Sequence, residues 1–351
     1  MMDNSIQERT CKKDMDQTQS NSGRSFILSA IVTIVVFTYL LTHVSVNEVL
    51  ASIKEADIRG VLMFVVLSFS MSVVRMWRYS LVLYVSGSSL RSTPLFLVVL
   101  VRNFCSDLLP ARLGSLIYVY ILTNRLGVRF GAAVSSFTLA FFFDLLAVAP
   151  IIILALCFMG EQIHLSVTGV VVGGGVLVGL TTLVLYFLPQ LIRLIGSLFT
   201  RIPFLSRNRI DCFRQALQEA ETDLQKAKQM GLYTRLFFLS LLIRILKYGS
   251  YYMLLYGILR PLGYGFDKLP IPRVFIGLCT SELSASLPIS GIAGFGAYEG
   301  AWAFMFQWLG FSKHIATLTS LSHHLFTQVY GYSIGIVALL ILILPILKVK
   351  K

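Results

Sequence analysis

The sequence predicts an all-α integral membrane protein, a polytopic helical bundle with two oppositely oriented re-entrant (broken) helical hairpins that form an inverted repeat. Of the 351 residues, 56% are hydrophobic and 13% are charged, whereas a soluble domain has about 45–50% apolar and about 25% charged residues. Apolar segments of membrane-spanning length recur along the chain. Two further apolar segments are interrupted, one at Pro110 and one at Pro288.

Six apolar segments are uninterrupted, and each predicts a transmembrane helix because about 20 apolar residues cross the hydrocarbon core. They are Ser25–Thr42, Ile58–Tyr84, Ala132–Phe158, Val167–Leu188, Leu232–Leu259 and Ile315–Leu344. The first is longer than the core of a signal peptide and lacks a small-x-small cleavage pattern. We therefore expect it to remain as a helix.

The orientation follows from Lys and Arg, which concentrate in short cytoplasmic loops. The basic groups are Arg24, Arg75 with Arg78 and Arg91, Arg125 with Arg129, the connection 189–235, and Lys348, Lys350 and Lys351. We predict a multi-pass protein of the cytoplasmic (inner) membrane with both termini in the cytoplasm. Topology explains the net charge of +13, so we expect no nucleic-acid partner.

The interrupted segments become hairpins once the basic groups are placed on one side. Phe96–Leu122 must then enter and leave at the cytoplasmic face. The loops 160–165 and 261–270 lie outside, so Val274–Leu309 must enter and leave at the external face. Opposed hairpins are typical of an inverted repeat with a binding site near the membrane midplane.

A short sequence similarity supports the repeat. Ser106–Pro110 and Ser284–Pro288 share Ser, Leu and Pro at equivalent positions. Proline removes a backbone donor and ends or kinks a helix, and glycines permit tight turns and a close approach of the backbone to a ligand. The residues that we expect at the two breaks are Pro110, Gly114, Pro288, Gly291, Gly294 and Gly296.

The domain organisation is simple. We predict a disordered cytoplasmic N-terminus at 1–24, a single transmembrane domain at 25–346, and a basic cytoplasmic tail at 347–351. Within the domain, the cytoplasmic connection at about 189–231 carries apolar residues at helical spacing between Ile210 and Leu224, which predicts an amphipathic helix. This helix either packs on the bundle and the membrane interface or binds a partner.

Ionisable residues inside the membrane are costly and are functional candidates by default. Here cations outnumber anions, which suits an anionic headgroup, and the Arg fork binds phosphate oxygens bidentately. The candidate substrate-binding residues are Arg75, Arg78, Arg102, Asn103, Asp107, Arg112, Asp144, Arg244, Lys247, Glu282 and Glu299.

Each of these residues has an alternative role. Arg75 and Arg78 lie towards the cytoplasmic end of their helix and could extend to lipid phosphates. Arg244 and Lys247 could form structural ion pairs with Asp144 or Glu282. The adjacent His323 and His324 point to different sides of their helix, so we favour a structural or interfacial role over proton coupling.

Other kinds of site have no support in the sequence. The cysteines have no zinc-like spacing and are expected as free thiols. No catalytic triad, metal cluster or nucleotide fingerprint is present. We therefore expect a protein that is not an enzyme and that uses neither a metal nor a cofactor.

Four groups of residues together resemble the flippase-like, lysylphosphatidylglycerol synthase transmembrane-region family. They are Arg75-Met-Trp-Arg78, Asn103 with Leu109-Pro-Ala-Arg-Leu-Gly114, Asp144, and Pro288 followed by Gly294-Phe-Gly-Ala-Tyr-Glu299. The chain departs from the family pattern at Ile292-Ala293, and at Ala140 and Phe141, which replace a Glu-Arg pair. An Arg partner expected beside Asp144 is thereby missing.

The resemblance implies a lipid translocator that moves the headgroup of an anionic phospholipid or of a polyprenyl-phosphate-linked glycolipid. Members that make aminoacyl-phosphatidylglycerol transfer the amino acid in a C-terminal soluble domain, which this chain is expected to lack. On this hypothesis Arg102 and Arg112 hold phosphate, Asn103 and Asp107 hold other polar groups, and Glu299 balances charge or carries a proton.

Two other functions remain open. The chain could be a non-transporting scaffold or accessory subunit of a glycosyltransferase or lipid-modifying enzyme, with the segment from Ile210 to Leu224 as the docking surface. It could also be an intramembrane enzyme that acts on lipid-linked phosphate, although no nucleophile and base can be paired. A homo-oligomer is compatible with each function.

Overall fold

The computed structural model describes residues 36–108, 114–159, 221–285 and 295–344, with single residues between 172 and 219. All regular structure in these ranges is helical. The helices are α1 (Val46–Lys54), α2 (Ile58–Val85), α3 (Ser92–Leu108), α4 (Gly114–Asn124), α5 (Phe130–Met159), α6 (Leu232–Leu259), α7 (Ile271–Ala285), α8 (Ala297–Trp308) and α9 (Lys313–Ile343). Residues 36–41 and 221–229 are also helical.

Four of these helices are long and apolar enough to cross a membrane: Ile58–Val85, Phe130–Phe158, Leu232–Leu262 and Lys313–Ile343. They confirm four of the six predicted spans. The other two, Ser25–Thr42 and Val167–Leu188, lie mostly outside the described residues. Large apolar side chains such as Trp77 and Phe158 are exposed on the outer surface, as expected where the solvent is lipid. The protein is a multi-pass membrane protein.

Local sequence sets where the long helices begin. The Asp57 carboxylate accepts hydrogen bonds from the N–H groups of Arg59 and Gly60 at the start of α2. The Ser312 hydroxyl accepts from the Ile315 N–H at the start of α9. Such side chains satisfy backbone donors that have no partner in the first turn.

The two interrupted segments each contain a pair of short helices. The pairs are α3 with α4, of 17 and 11 residues, and α7 with α8, of 15 and 12 residues. Each helix is shorter than the roughly 20 residues that a membrane crossing requires. The members of each pair pack against each other. The described helices therefore end before the segments that contain Pro110 and Pro288 and resume after them, and the re-entrant hairpins stay a prediction.

Pro110 and Arg112 lie in the 109–113 gap, and Pro288, Gly291 and Gly294 lie in the 286–294 gap, so all five fall outside the described residues. The two described break glycines have identifiable roles. Gly114 lies against the backbone of Cys105 with no space for a Cβ atom. Gly296 precedes α8 with a φ of 111°, which non-glycine residues rarely adopt.

The order long, short, short, long occurs twice, in α2–α5 and again in α6–α9. The two leading helices, α2 and α6, pack antiparallel. At one end a Cβ atom on Gly60 would lie 2.6 Å from Gly257 Cα, and towards the other end Arg78 contacts Ser240. This pairing joins the two halves of the chain.

Two apolar cores lie mostly within one half each, with Ala338 and Leu342 of α9 in the first and Ala155 of α5 in the second. In the first half Tyr79 of α2 and Tyr118 of α4 pack with ring centroids 4.5 Å apart. In the second half Trp302 and Phe306 of α8 stack at 4.6 Å within a cluster from α6, α7 and α9. The polar residues described below lie between these cores.

The described end of the amphipathic connection packs on the bundle. Leu224 and Ala227 are buried with Val82, Leu139 and Leu236, as one of the two sequence interpretations predicts. Asp223 is also buried, and burial raises the pKa of its carboxyl group. Residues 210–217 lie outside the described ranges, and binding of a partner stays a prediction.

Candidate functional site

A cavity of about 230 Å³ lies between the two halves and is lined by residues of α2, α3, α5, α6, α7, α8 and α9. Eight of the candidate residues line it: Arg75, Arg102, Asn103, Asp107, Asp144, Arg244, Lys247 and Glu282. Although these residues lie far apart in the sequence, the fold gathers them around one space. The cavity is therefore the candidate binding site.

The spacing of the polar residues along α2 and α6 places their side chains on the helix faces that line the cavity. On α2, Ser68, Ser72 and Arg75 follow at steps of three and four residues and share one face. On α6, Arg244, Lys247 and Tyr251 do the same, and all six line the cavity. Arg75 is residue 18 of 28 in α2 and Arg244 is residue 13 of 28 in α6. The cavity thus lies near the middle of the long helices.

Arg78 forms a buried ion pair with Asp144. Its Nη1 and Nη2 atoms donate to the two carboxylate oxygens at 2.5 and 3.2 Å, and Nη1 also donates to Ser240 at 2.6 Å. Arg78 is 0% exposed, so the interpretation that it extends to lipid phosphates is wrong. The Arg partner that Asp144 lacks on its own helix comes from α2.

Glu282 of α7 neutralises part of the positive charge on α6. Its Oε1 atom lies 3.1 Å from Arg244 and 2.7 Å from Lys247. Its Oε2 atom accepts a hydrogen bond from the Tyr248 hydroxyl at 2.9 Å. The structural ion pairing that the sequence offers as an alternative for Arg244 and Lys247 is confirmed, with Glu282 as the carboxylate.

Arg75 and Arg102 differ from these paired cations. Arg75 donates to the Asn103 side-chain oxygen at 2.5 Å, and Arg102 donates to the same oxygen at 3.5 Å. Among the described residues, no carboxylate lies within ion-pair distance of either guanidinium. The Nε atoms of Arg75, Arg102 and Arg244, like that of Arg78, are buried without a hydrogen-bond partner in the described part of the chain. Buried donors without acceptors are costly, and an anion in the cavity would satisfy them.

The local charge is positive overall. Five cationic side chains surround or adjoin the cavity, namely Arg75, Arg78, Arg102, Arg244 and Lys247, and the carboxylates of Asp107, Asp144 and Glu282 oppose them. The excess favours a ligand with negative charge, because cations held in a low dielectric attract an anion strongly.

Glu299 lies in the first turn of α8 and is 0% exposed. Its Oε2 atom accepts a hydrogen bond from the Gly296 N–H at 2.7 Å, and its Oε1 atom is hydrogen-bonded to His324 Nδ1. His324 Nε2 lies 2.7 Å from the Gln328 side-chain nitrogen. His324 and Gln328 both line the cavity, so Glu299 reaches it through His324.

The sequence interpretation missed the polar face of α9. His324 and Gln328 are four residues apart on that helix and so share a face, a signal that could have identified them together. His323 points to the other side as expected, where its Nε2 atom contacts the Tyr251 carbonyl oxygen at 3.1 Å and its ring lies 4.6 Å from that of Trp302. Both histidines are buried, so an interfacial position is wrong for them.

Among the described residues, no group of three or more His, Cys, Asp or Glu side chains could hold a metal ion. The described cysteines Cys105, Cys157 and Cys279 are free, as the sequence predicts for them. The described polar groups that line the cavity are guanidinium, ammonium, amide, carboxylate, imidazole and hydroxyl groups.

Comparison with known proteins identifies a family. Residues 26–335 match the family model for the lysylphosphatidylglycerol synthase TM region, a range that includes the cavity residues of both halves. No curated protein matches the chain. The matching region is a membrane domain without the catalytic domain, and it points to lipid metabolism or translocation. The chain belongs to the lysylphosphatidylglycerol synthase transmembrane-region family.

Proposed function

We propose that the protein is a lipid translocator that moves an anionic headgroup through the cavity while the acyl chains stay in the bilayer. The observation that carries this proposal is the buried pair Arg75 and Arg102, which face a cavity without a carboxylate partner among the described residues and with unsatisfied Nε donors. A phosphodiester oxygen is the acceptor that best matches a planar guanidinium.

The cavity suits a headgroup better than a whole lipid. The cavity has a volume of about 230 Å³ and is lined by charged, amide and hydroxyl side chains. Such a lining suits a phosphate and its polar substituents, whereas acyl chains are stabilised by apolar surroundings. Asn103 holds the two guanidinium groups together through one amide oxygen, which orients their remaining donors towards the cavity.

The arrangement of the two halves supports a mechanism. We infer that α3–α4 and α7–α8 are re-entrant hairpins of an inverted repeat, as the repeated helix order suggests. In such a repeat the pair α5 and α6 is equivalent to the pair α9 and α2. The helices α5 and α6 pack closely along each other, but α9 and α2 have few close backbone contacts. Translocation would exchange these two arrangements.

A lipid-scrambling assay tests the function. The full chain would be reconstituted in vesicles that contain fluorescent phosphatidylglycerol, and dithionite would bleach the outer leaflet. Loss of charge-assisted hydrogen bonds worth about 1.5–3 kcal/mol should slow Arg75→Gln and Arg102→Gln by roughly 10- to 100-fold. Arg59→Gln is the matched control, because Arg59 lies on the same helix as Arg75 but is exposed and does not line the cavity.

Two results would contradict the proposal. One is a wild-type protein that does not accelerate bleaching beyond protein-free vesicles. The other is a pair of cavity variants that scramble lipid as fast as Arg59→Gln. Thermal unfolding of every variant in detergent would separate a lost site from a lost fold.

A further inference from the structure

We propose that Glu299 and His324 form a proton-binding site whose occupancy is coupled to the presence of an anion in the cavity. The inference rests on the proposed function and deepens it, because it identifies a proton as the co-ligand of the headgroup. The first step is the isolation of the Glu299 carboxylate. It is fully buried, and in the described ranges His324 is the one ionisable side chain within ion-pair distance.

Among the residues that the structure describes around the pair, no cationic side chain other than His324 lies at that distance from Glu299. On α9 the neighbours are His323, which faces away, and Gln328. On α8 the ring of Tyr298 lies 4.5 Å from that of His324, and Tyr298 lines the same cavity as Tyr251 of α6 and Glu282 of α7. An unpaired buried carboxylate is strongly destabilising. The pair therefore retains at least one proton, either as two neutral groups or as a carboxylate with an imidazolium.

The Gln328 side-chain amide can hydrogen-bond to His324 in two protonation states of the imidazole. With the amide nitrogen at His324 Nε2, the imidazole is neutral, its Nδ1–H donates to Glu299, and the one proton that the pair retains is on the Glu299 carboxyl group. The Gln328 amide oxygen is then buried without a hydrogen-bond partner. A half-turn of the amide brings this oxygen to Nε2, where it accepts a hydrogen bond from an imidazolium. The site can thus gain a proton and keep its hydrogen bonds.

An anion in the cavity favours the additional proton. His324 and Gln328 line the space that Arg75 and Arg102 face, so a phosphate there stabilises the positively charged form of the pair. Linkage makes the effect reciprocal: the anion raises proton affinity, and the proton raises anion affinity by the same factor. The headgroup and the proton would then occupy the site together.

Isothermal titration calorimetry with short-chain dihexanoyl-phosphatidylglycerol tests the coupling. The purified full chain would be titrated in detergent, in two buffers with different ionisation enthalpies, so that the heat reports protons taken up. We expect up to one proton per lipid bound by the wild type. Affinity should rise as pH falls from about 8 to about 6, with a limiting slope of about ten-fold per pH unit.

Glu299→Gln and His324→Gln should bind the lipid with a lower proton uptake and a flatter pH dependence. Glu299→Gln preserves the size of the side chain and an acceptor for the Gly296 N–H. The control is His314→Gln, because His314 pairs with Glu48 at 2.9 Å in an exposed position and does not line the cavity. This variant should keep the proton uptake and pH slope of the wild type.

The outcomes distinguish the two proposals. If the wild type binds no lipid, the proposed function fails and the coupling fails with it. If the wild type binds lipid without proton uptake, the coupling alone is overturned. The coupling is also overturned if proton uptake is unchanged in both Glu299→Gln and His324→Gln. If a variant does not fold, the proton uptake measured with the wild type alone still tests the coupling.

Discussion

The buried pair of Arg78 and Asp144 gives the sharpest test of what holds the two halves together. Replacing Arg78 with Met removes the cation that donates to both oxygens of the buried Asp144 carboxylate. Two unit charges about 4 Å apart interact by about 4 kcal/mol at an effective dielectric constant of 20. Loss of one partner from a buried pair typically costs about 3–5 kcal/mol. We therefore expect Arg78→Met to unfold at a temperature lower by on the order of 10 °C.

Tryptophan fluorescence during heating of the protein in detergent measures this change. The double variant Arg78→Met with Asp144→Leu should recover most of the lost stability, because it leaves no buried charge unpaired. Arg260→Met is the control, since Arg260 is half exposed and lies 3.2 Å from Asp57. Such an exposed pair contributes about 0–1 kcal/mol. The reasoning would be refuted if Arg78→Met were no less stable than Arg260→Met, or if the double variant were less stable than Arg78→Met.

Three further predictions concern packing, charge and pH. Gly60→Ala should lower the unfolding temperature, because the added Cβ atom would lie 2.6 Å from Gly257 Cα and overpacking costs about 1–3 kcal/mol. Gly249→Ala should not lower it, because its Cβ atom would meet only a side chain at 3.8 Å. Glu282→Gln should bind dihexanoyl-phosphatidylglycerol more tightly in calorimetry, because it leaves a larger positive excess in the cavity. Asp223→Asn should remove a pH dependence from unfolding measured in detergent. Burial raises the pKa of Asp223 in the folded state, so its contribution becomes more favourable as pH falls through that value and is least favourable above it.

The sequence predicts the features of this fold that depend on local composition. The four described spans follow from apolar length alone, and the pairs of short helices follow from interruptions at Pro110 and Pro288. The capping side chain of Asp57 and the positive φ of Gly296 are likewise properties of a few neighbouring residues. For such features the sequence contains both the cause and its position.

Partners across the bundle could not be predicted in the same way. Arg78 lies 66 positions from Asp144, and the periodicity of either helix says nothing about which helix it meets. The family pattern suggested a missing partner for Asp144, although the partner comes from α2. For Glu299, the adjacency of His323 and His324 predicts that they point apart, but only the packing of α9 on α8 shows which of them reaches the carboxylate.

The ion pairs divide the cations of the cavity into two groups with different consequences. Both terminal nitrogens of Arg78 donate to Asp144, and Nη1 also donates to Ser240, so the loss of Arg78 should act on stability. Arg75 and Arg102 share only the Asn103 oxygen, so their loss relieves a mutual repulsion between like charges. Arg75→Gln and Arg102→Gln should therefore be at least as stable as the wild type while they lose lipid binding. Substitution of a cation that serves the ligand should thus reduce lipid binding without reducing stability. Substitution of a structural cation should reduce stability without a specific effect on lipid binding.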